Sequence, residues 1–247
     1  MRVPLEAASR GAGLLTGQSL NKAQIILALD VDTIKEAQDF VDRLYPKIKI
    51  FKVGSHLFTA YGLQIIELLH KKGAGVFLDL KYFDIPNTVA SAVAAAVGLK
   101  VEMLTLHISG GQAMLEAAVS AASRQAKALK IARPLLIGVT VLTSQMAKTG
   151  EVLALAKQGL ASGLDGVVCS AQEALVLRRK IKKNFVMVTP GIRPDNSGKD
   201  DQKRTATVSE AIKAGSNFLV IGRPILKADN PIVKTDELLG ELNGAGS

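Results

Sequence analysis

Short apolar runs alternate along this chain with longer amphipathic stretches, and that alternation predicts the fold. Eight runs read as strands: IILALD (25–30), IKIFKVG (48–54), GVFLDLK (75–81), VEMLTLH (101–107), PLLIGVT (134–140), GVVCS (166–170), FVMVTP (185–190) and NFLVIG (217–222). Between them lie segments of helical length, among them TIKEAQDFVDRLY, HLFTAYGLQIIELLHKKG and QAMLEAAVSAASRQAKALK. Glycine follows several of these, as in KKGAG and KAGSN, where a left-handed residue ends a helix well. Strands that are apolar on both faces are buried on both faces, which means parallel strands covered by helices. Eight such units within about 200 residues predict an α/β fold of one domain, a closed (β/α)8 TIM barrel. An open dinucleotide-binding sheet fits less well, because no G-x-G-x-x-G follows the first strand. No linker or low-complexity stretch divides the chain. The barrel is therefore expected over residues 24–247, behind a loosely ordered lead-in over 1–23.

Composition narrows the setting. Of the 247 residues, 48% are hydrophobic, enough for one large core. The single cysteine, Cys169, excludes an intramolecular disulfide and fits a reducing compartment; its place in GVVCS reads as a packed thiol. No run approaches the ~18–20 uninterrupted apolar residues of a membrane span. The lead-in lacks the long apolar segment of a secretory signal. A cytoplasmic protein without a membrane partner is the expectation. The formal net charge of +9 suits either a nucleic acid or an anionic small substrate. The basic residues are scattered, as in RRKIKK (178–183), and aromatics make up only 4% of the chain. With no aromatic–basic stripe for base stacking, anion pockets explain the charge better than nucleic acid does.

Polar residues then fall where a barrel places its chemistry, at the C-terminal ends of the strands. Asp30 closes the first run, Lys52 lies near the end of the second, and Asp79 and Lys81 end the third. Strand side chains alternate, so Asp79 and Lys81 point to one side, into the barrel mouth, while Leu78 and Leu80 face the helices. A buried ion pair is a weak stabiliser, because desolvation offsets its attraction. Two carboxylates and two lysines at one mouth therefore point to chemistry more than to stability. Asp84, just ahead of Pro86, reads either as a charge at a helix start or as a further member of the cluster. The turns TPGIRP and VIGRPI follow the seventh and eighth runs, where barrels of this kind often bind phosphate. Their glycines admit an anion to the backbone, and Arg193 and Arg223 offer guanidinium forks to its oxygens.

Taken in order, LALD, FKVG, FLDLKYFDIPNTV, VTVLTS, TPGIRP, DDQKR and VIGRPI resemble the orotidine 5′-phosphate decarboxylase family, from about Gln24 to Ile225. The DLKYFDIPNTV block is the most specific of these, and the lead-in lies outside the likeness. The resemblance implies decarboxylation of orotidine 5′-phosphate to uridine 5′-phosphate, the last step of de novo pyrimidine synthesis. It further implies no cofactor and no metal, and a homodimer with shared active sites. Carried over, Lys52, Asp79, Lys81 and Asp84 form the catalytic network, with Lys81 as proton donor to pyrimidine C6. Asp84, Ile85 and Thr88 would reach into the neighbouring subunit's site. Asp30 and Lys52 would hold ribose hydroxyls, and Asp79 would lie beside the substrate. Thr143 would sit by the pyrimidine, with Thr140 ranked behind it. Gln202, Arg223 and the backbone at Gly222 would hold phosphate, with Arg193 lining the same side. The polar stretch RPDNSGKDDQKR (193–204) is a candidate mobile loop. The alternative is a magnesium-dependent sugar-phosphate decarboxylase or aldolase on the same barrel. A non-catalytic barrel that binds phosphorylated ligands or nucleic acid is the reading from a different class.

Overall fold

The computed structural model describes residues 22–142, 148–193 and 205–245. Most of the lead-in lies outside them, as do Thr143, Gln202 and the bulk of the 193–204 stretch. All eight apolar runs form strands: β1 (Gln24–Ala28), β2 (Ile50–Gly54), β3 (Gly75–Tyr82), β4 (Met103–His107), β5 (Leu135–Val139), β6 (Gly166–Val168), β7 (Val186–Thr189) and β8 (Phe218–Ile221). They pair in chain order as a closed parallel barrel, β8 returning to β1. β6 is shorter than its sequence run, and Cys169 follows it as a buried free thiol.

The helices are α1 (Ile34–Leu44), α2 (Ser55–Tyr61), α3 (Leu63–Lys72), α4 (Pro86–Gly98), α5 (Gly111–Leu129), α6 (Thr149–Ala161), α7 (Ala171–Lys180), α8 (Val208–Lys213), α9 (Arg223–Leu226) and α10 (Pro231–Ala245). The stretch that reads as one helix, HLFTAYGLQIIELLHKKG, is two. Gly62 between them adopts φ 52 and ψ −123, a conformation open to glycine and closed to side chains. Capping boxes start α1 (Thr33 with Glu36), α7 (Ser170 with Glu173) and α8 (Thr207 with Glu210). Each such cap contributes about 1 kcal/mol. Gly73 ends α3 in the left-handed conformation, as the KKGAG pattern predicts.

The core has two compartments, set by strand alternation. Ile26, Ala28, Ile50, Phe77, Met103 and Ile137 fill the barrel interior with Val186, Val188, Phe218 and Val220. Leu27, Phe51, Leu78 and Leu104 face outward into the helix layer. Two residues further along the inward rows of β1 to β4 the apolar series stops: Ala28 leads to Asp30, Ile50 to Lys52, Phe77 to Asp79 and Met103 to Thr105. The period that packs the interior thus delivers polar side chains to the C-terminal mouth.

The RRKIKK stretch is not uniformly a solvated basic surface. Arg178 is half-buried, donating to Phe185 O at 3.1 Å and Gly215 O at 2.8 Å, with its guanidinium 4.7 Å above the Phe185 ring. It ties α7 to the strands beneath, while Arg179 and Lys180 stay exposed. Among the described residues, no helix is long and apolar enough to cross a membrane.

Candidate active site

The mouth is organised around the Asp79 carboxylate. Its Oδ1 accepts from Lys81 Nζ and from Thr105 Oγ1, each at 2.9 Å. Lys52 Nζ lies 3.6 Å from its other oxygen and donates to Asp30 Oδ1 at 3.1 Å. An acid–lysine–acid–lysine chain therefore runs across β1, β2 and β3. Asp79 and Lys52 are largely buried, Lys81 is partly exposed, and Asp30 is open to solvent. Burial alone pushes the Asp79 carboxyl up. The attraction of Lys52 and Lys81, with the hydrogen bonds from Lys81 and Thr105, outweighs it and holds the group below the usual carboxylate range. His107, at the end of β4, is pushed down by burial and by repulsion from Lys81, with Asp79 opposing.

The alternation argument puts Lys81 on the correct side, although β3 is not regular there. Lys81 takes φ 51, uncommon for a residue with a side chain, and the β3–β4 register shifts between Leu78 and Tyr82. Gly54, two residues beyond Lys52 on β2, lies close to the network: a Cβ there would sit 3.3 Å from Lys52 Nζ.

One cavity at the mouth is lined by Asp30, Lys52, Asp79 and Lys81 together with Arg193, Gly222 and Arg223. Phe77, Val139, Val168, Val188 and Val220 form its floor. The two late turns thus reach the same cavity as the charged network, as their positions after β7 and β8 predict. Gly191 in the first has φ 79, and at Gly222 in the second a Cβ would meet the Asp30 carboxylate at 3.4 Å. Arg193 donates from its guanidinium to Ile192 O at 3.0 Å, and its backbone joins Ala206.

Other expected residues are not brought to this cavity by the chain. Asp84 is exposed, and its Oδ1 accepts from Ile85 N at 2.6 Å. It caps nothing, because α4 begins at Pro86 with Ile85 as an N-cap lacking any side-chain bond. Ile85 and Thr88 are also exposed, as is Phe83, whose ring meets His107 edge-on at 5.8 Å. Thr140 is buried and donates to Val168 O at 3.1 Å, outside the cavity lining. Thr105 was missed from sequence. Its signal was a polar residue at an inward position of an apolar strand, two places after Met103. Among the described residues, no three His, Cys, Asp or Glu side chains gather as a metal-holding group. The ammonium of Lys52 occupies the space between Asp30 and Asp79.

Fold and mouth together define a (β/α)8 barrel whose charged cavity is suited to a phosphorylated anion. The family model described as orotidine 5′-phosphate decarboxylase / HUMPS matches residues 23–238, and the chain belongs to that family. It is 45% identical over 234 residues to the orotidine 5′-phosphate decarboxylase of Vibrio cholerae serotype O1, covering 90% of this chain and 100% of that protein. With the enzyme of the same name from Laribacter hongkongensis the identity is 50% over 218 residues, covering 84% of this chain and 88% of the other. The crystal structure of orotidine 5′-phosphate decarboxylase from Lactobacillus acidophilus superposes with a TM-score of 0.79 at 34% identity, covering 90% of this chain and 100% of that one.

Proposed function

We propose that this chain decarboxylates orotidine 5′-phosphate to uridine 5′-phosphate in pyrimidine synthesis, without a cofactor, with Lys81 as the proton donor. The observation that carries this reading is the Lys81–Asp79–Lys52 cluster sharing one cavity with two arginine turns. Phosphate at Arg193 and Arg223 sets the nucleotide's tail against the β7–β8 side, and the base lies toward Lys81. The bond from C6 to the carboxylate breaks, carbon dioxide leaves, and the electron pair stays on C6. Lys81 then gives that carbon a proton and regains one from solvent.

Magnitudes divide the labour. Asp79 beside the substrate carboxylate repels it, by about 4 kcal/mol for charges ~4 Å apart at an effective dielectric of ~20. Enzymatic accelerations need roughly 8–23 kcal/mol, so repulsion alone falls short. An ammonium aimed at the developing carbanion acts where charge appears in the transition state, and it carries the larger share. Phosphate binding at the far end fixes the base against that ammonium.

Asp84, Ile85 and Thr88 are exposed and set away from their own chain's cavity. A homodimer in which they complete the neighbouring site accounts for that placement, together with the exposed Phe83 beside them. The single buried thiol, Cys169, suits a reducing cytoplasm. The test is loss of orotidine 5′-phosphate absorbance on adding purified protein in chelator-treated buffer. Steady turnover is expected. No turnover, or turnover only with added magnesium, would sink the reading and favour the sugar-phosphate alternative.

A further inference from the structure

We infer that Thr105 is a positioning residue for the reaction: its hydroxyl both aims Lys81 and holds Asp79, without itself reaching the cavity. The inference rests on the proposed role of Lys81. Thr105 is completely buried on β4 and is not among the residues lining the mouth. The pairing of β3 with β4 runs Leu78 to Leu104 and then Tyr82 to Leu106. Residues 79–81 of β3 are therefore opposed by Thr105 alone. Such a bulge takes a backbone amide out of the regular ladder and leaves it in need of another acceptor. The amide of Lys81 finds Thr105 Oγ1 at 2.9 Å.

That bond fixes the direction of the hydroxyl proton. A threonine hydroxyl has one proton to give. Because Oγ1 accepts from the Lys81 amide, its proton is free to point at Asp79 Oδ1, also 2.9 Å away. One buried atom thus links the backbone of Lys81 to the carboxylate that receives the Lys81 ammonium at 2.9 Å. The ring closes through Lys81 on both sides. It also accounts for Lys81 resting at φ 51, where a non-glycine residue persists only when its surroundings hold it.

Thr105→Val keeps the branched shape and deletes the hydroxyl, while Thr105→Ser keeps the hydroxyl and deletes a methyl group. With the full-length enzyme on orotidine 5′-phosphate, Thr105→Val is expected to lower kcat by about ten- to a hundredfold, the scale of a hydrogen bond to a charged group. Affinity for uridine 5′-phosphate should change by less than about threefold, since the phosphate contacts are remote from β4. Thr105→Ser should recover most of the lost rate. A Val variant with wild-type kcat overturns the inference, as does a Ser variant as impaired as Val, or a fall in product affinity parallel to kcat. Should Thr105→Val not fold, Thr105→Ala against Thr105→Ser poses the same question, with Ser expected well above Ala and equality overturning it. A wild-type chain that fails to decarboxylate would instead bring down the functional reading, which keeps the two failures apart.

Discussion

Lys81→Met puts the proposed proton donor to the sharpest test, because it removes the charge while leaving an apolar stem of similar length. Lys81 Nζ sits 2.9 Å from Asp79 Oδ1, so it works at hydrogen-bonding range while partly exposed at the mouth. A carbanion held about 3 Å from the same ammonium gains roughly 5–6 kcal/mol at an effective dielectric of ~20. Each ~1.4 kcal/mol is tenfold in rate, which makes this about four powers of ten. Loss of the general acid is by itself worth about 10²–10⁴-fold. The two effects belong to one group and overlap, so the expected fall in kcat is at least about 10⁴-fold. The fold should survive. Asp79 retains Lys52 at 3.6 Å and the Thr105 hydroxyl at 2.9 Å, and is not left as an unpaired buried charge. The assay is single-turnover decarboxylation with excess enzyme, alongside titration with uridine 5′-phosphate to show that the site remains formed. Product binding near the wild-type level with kcat within about tenfold of wild type would remove Lys81 from the mechanism.

Three further outcomes are expected. Arg223→Ala deletes a guanidinium from the cavity that Lys81 also lines; kcat/KM for the nucleotide should drop about 10²-fold or more, while the rate on orotidine lacking phosphate stays as it was. Equal loss on both substrates would refute the phosphate assignment. Mixing Asp84→Asn with Lys81→Met chains should restore activity toward about a quarter of wild type, because hybrid dimers carry one intact shared site; no recovery despite demonstrated subunit exchange would count against sharing. His70 of α3 titrates below its ordinary 6.5 because burial disfavours its charged form and Lys100 repels it, and Nε2 has no hydrogen-bond partner among the described residues. The unfolded chain therefore binds this proton first as pH falls. The contribution to stability is intact above about 6.5 and declines as pH drops through that value toward the lower folded pKa. Urea midpoints at about pH 7.5 and 5.5 should differ less in His70→Gln than in wild type, and an unchanged difference would contradict the assignment.

Much of this arrangement was legible because barrel strands obey two simple rules. They are apolar on both faces, so IILALD and NFLVIG announce themselves, and they alternate, so Asp30, Lys52 and Asp79 could be placed at the mouth by counting in twos from Ala28, Ile50 and Phe77. The arginine turns were legible because their positions after the last two strands bring them to the same end. What escaped depends on pairing between strands distant in sequence. Counting in twos puts Lys81 on the right side, yet nothing in FLDLKYFDIP says that three of its residues would face one threonine of VEMLTLH. The same blindness applies to Gly62, where a helical composition on both sides hides a backbone that only glycine adopts. Asp84 marks a different limit: its exposed position explains little within one chain, and its proposed use needs a second copy.

The two halves of the barrel's interior are physically linked. Phe77, Val188 and Val220 belong to the apolar filling, and they are also the floor on which the charged network stands. An apolar floor strips water from one side of Asp79 and Lys52, which is unfavourable for either charge alone and strengthens the attraction between them. Lys52 is accordingly shared between Asp30 and Asp79, and Asp79 between two lysines and a hydroxyl. A substrate carboxylate entering such a site meets an acid that cannot readily shed its charge, since three donors and cations favour the ionised form. In the proposed reaction, departure of carbon dioxide relieves that conflict and leaves the new negative charge facing Lys81. Under the proposed mechanism the packing beneath the mouth therefore serves the chemistry as well as the fold: it favours paired over isolated charges in the network that the nucleotide would meet.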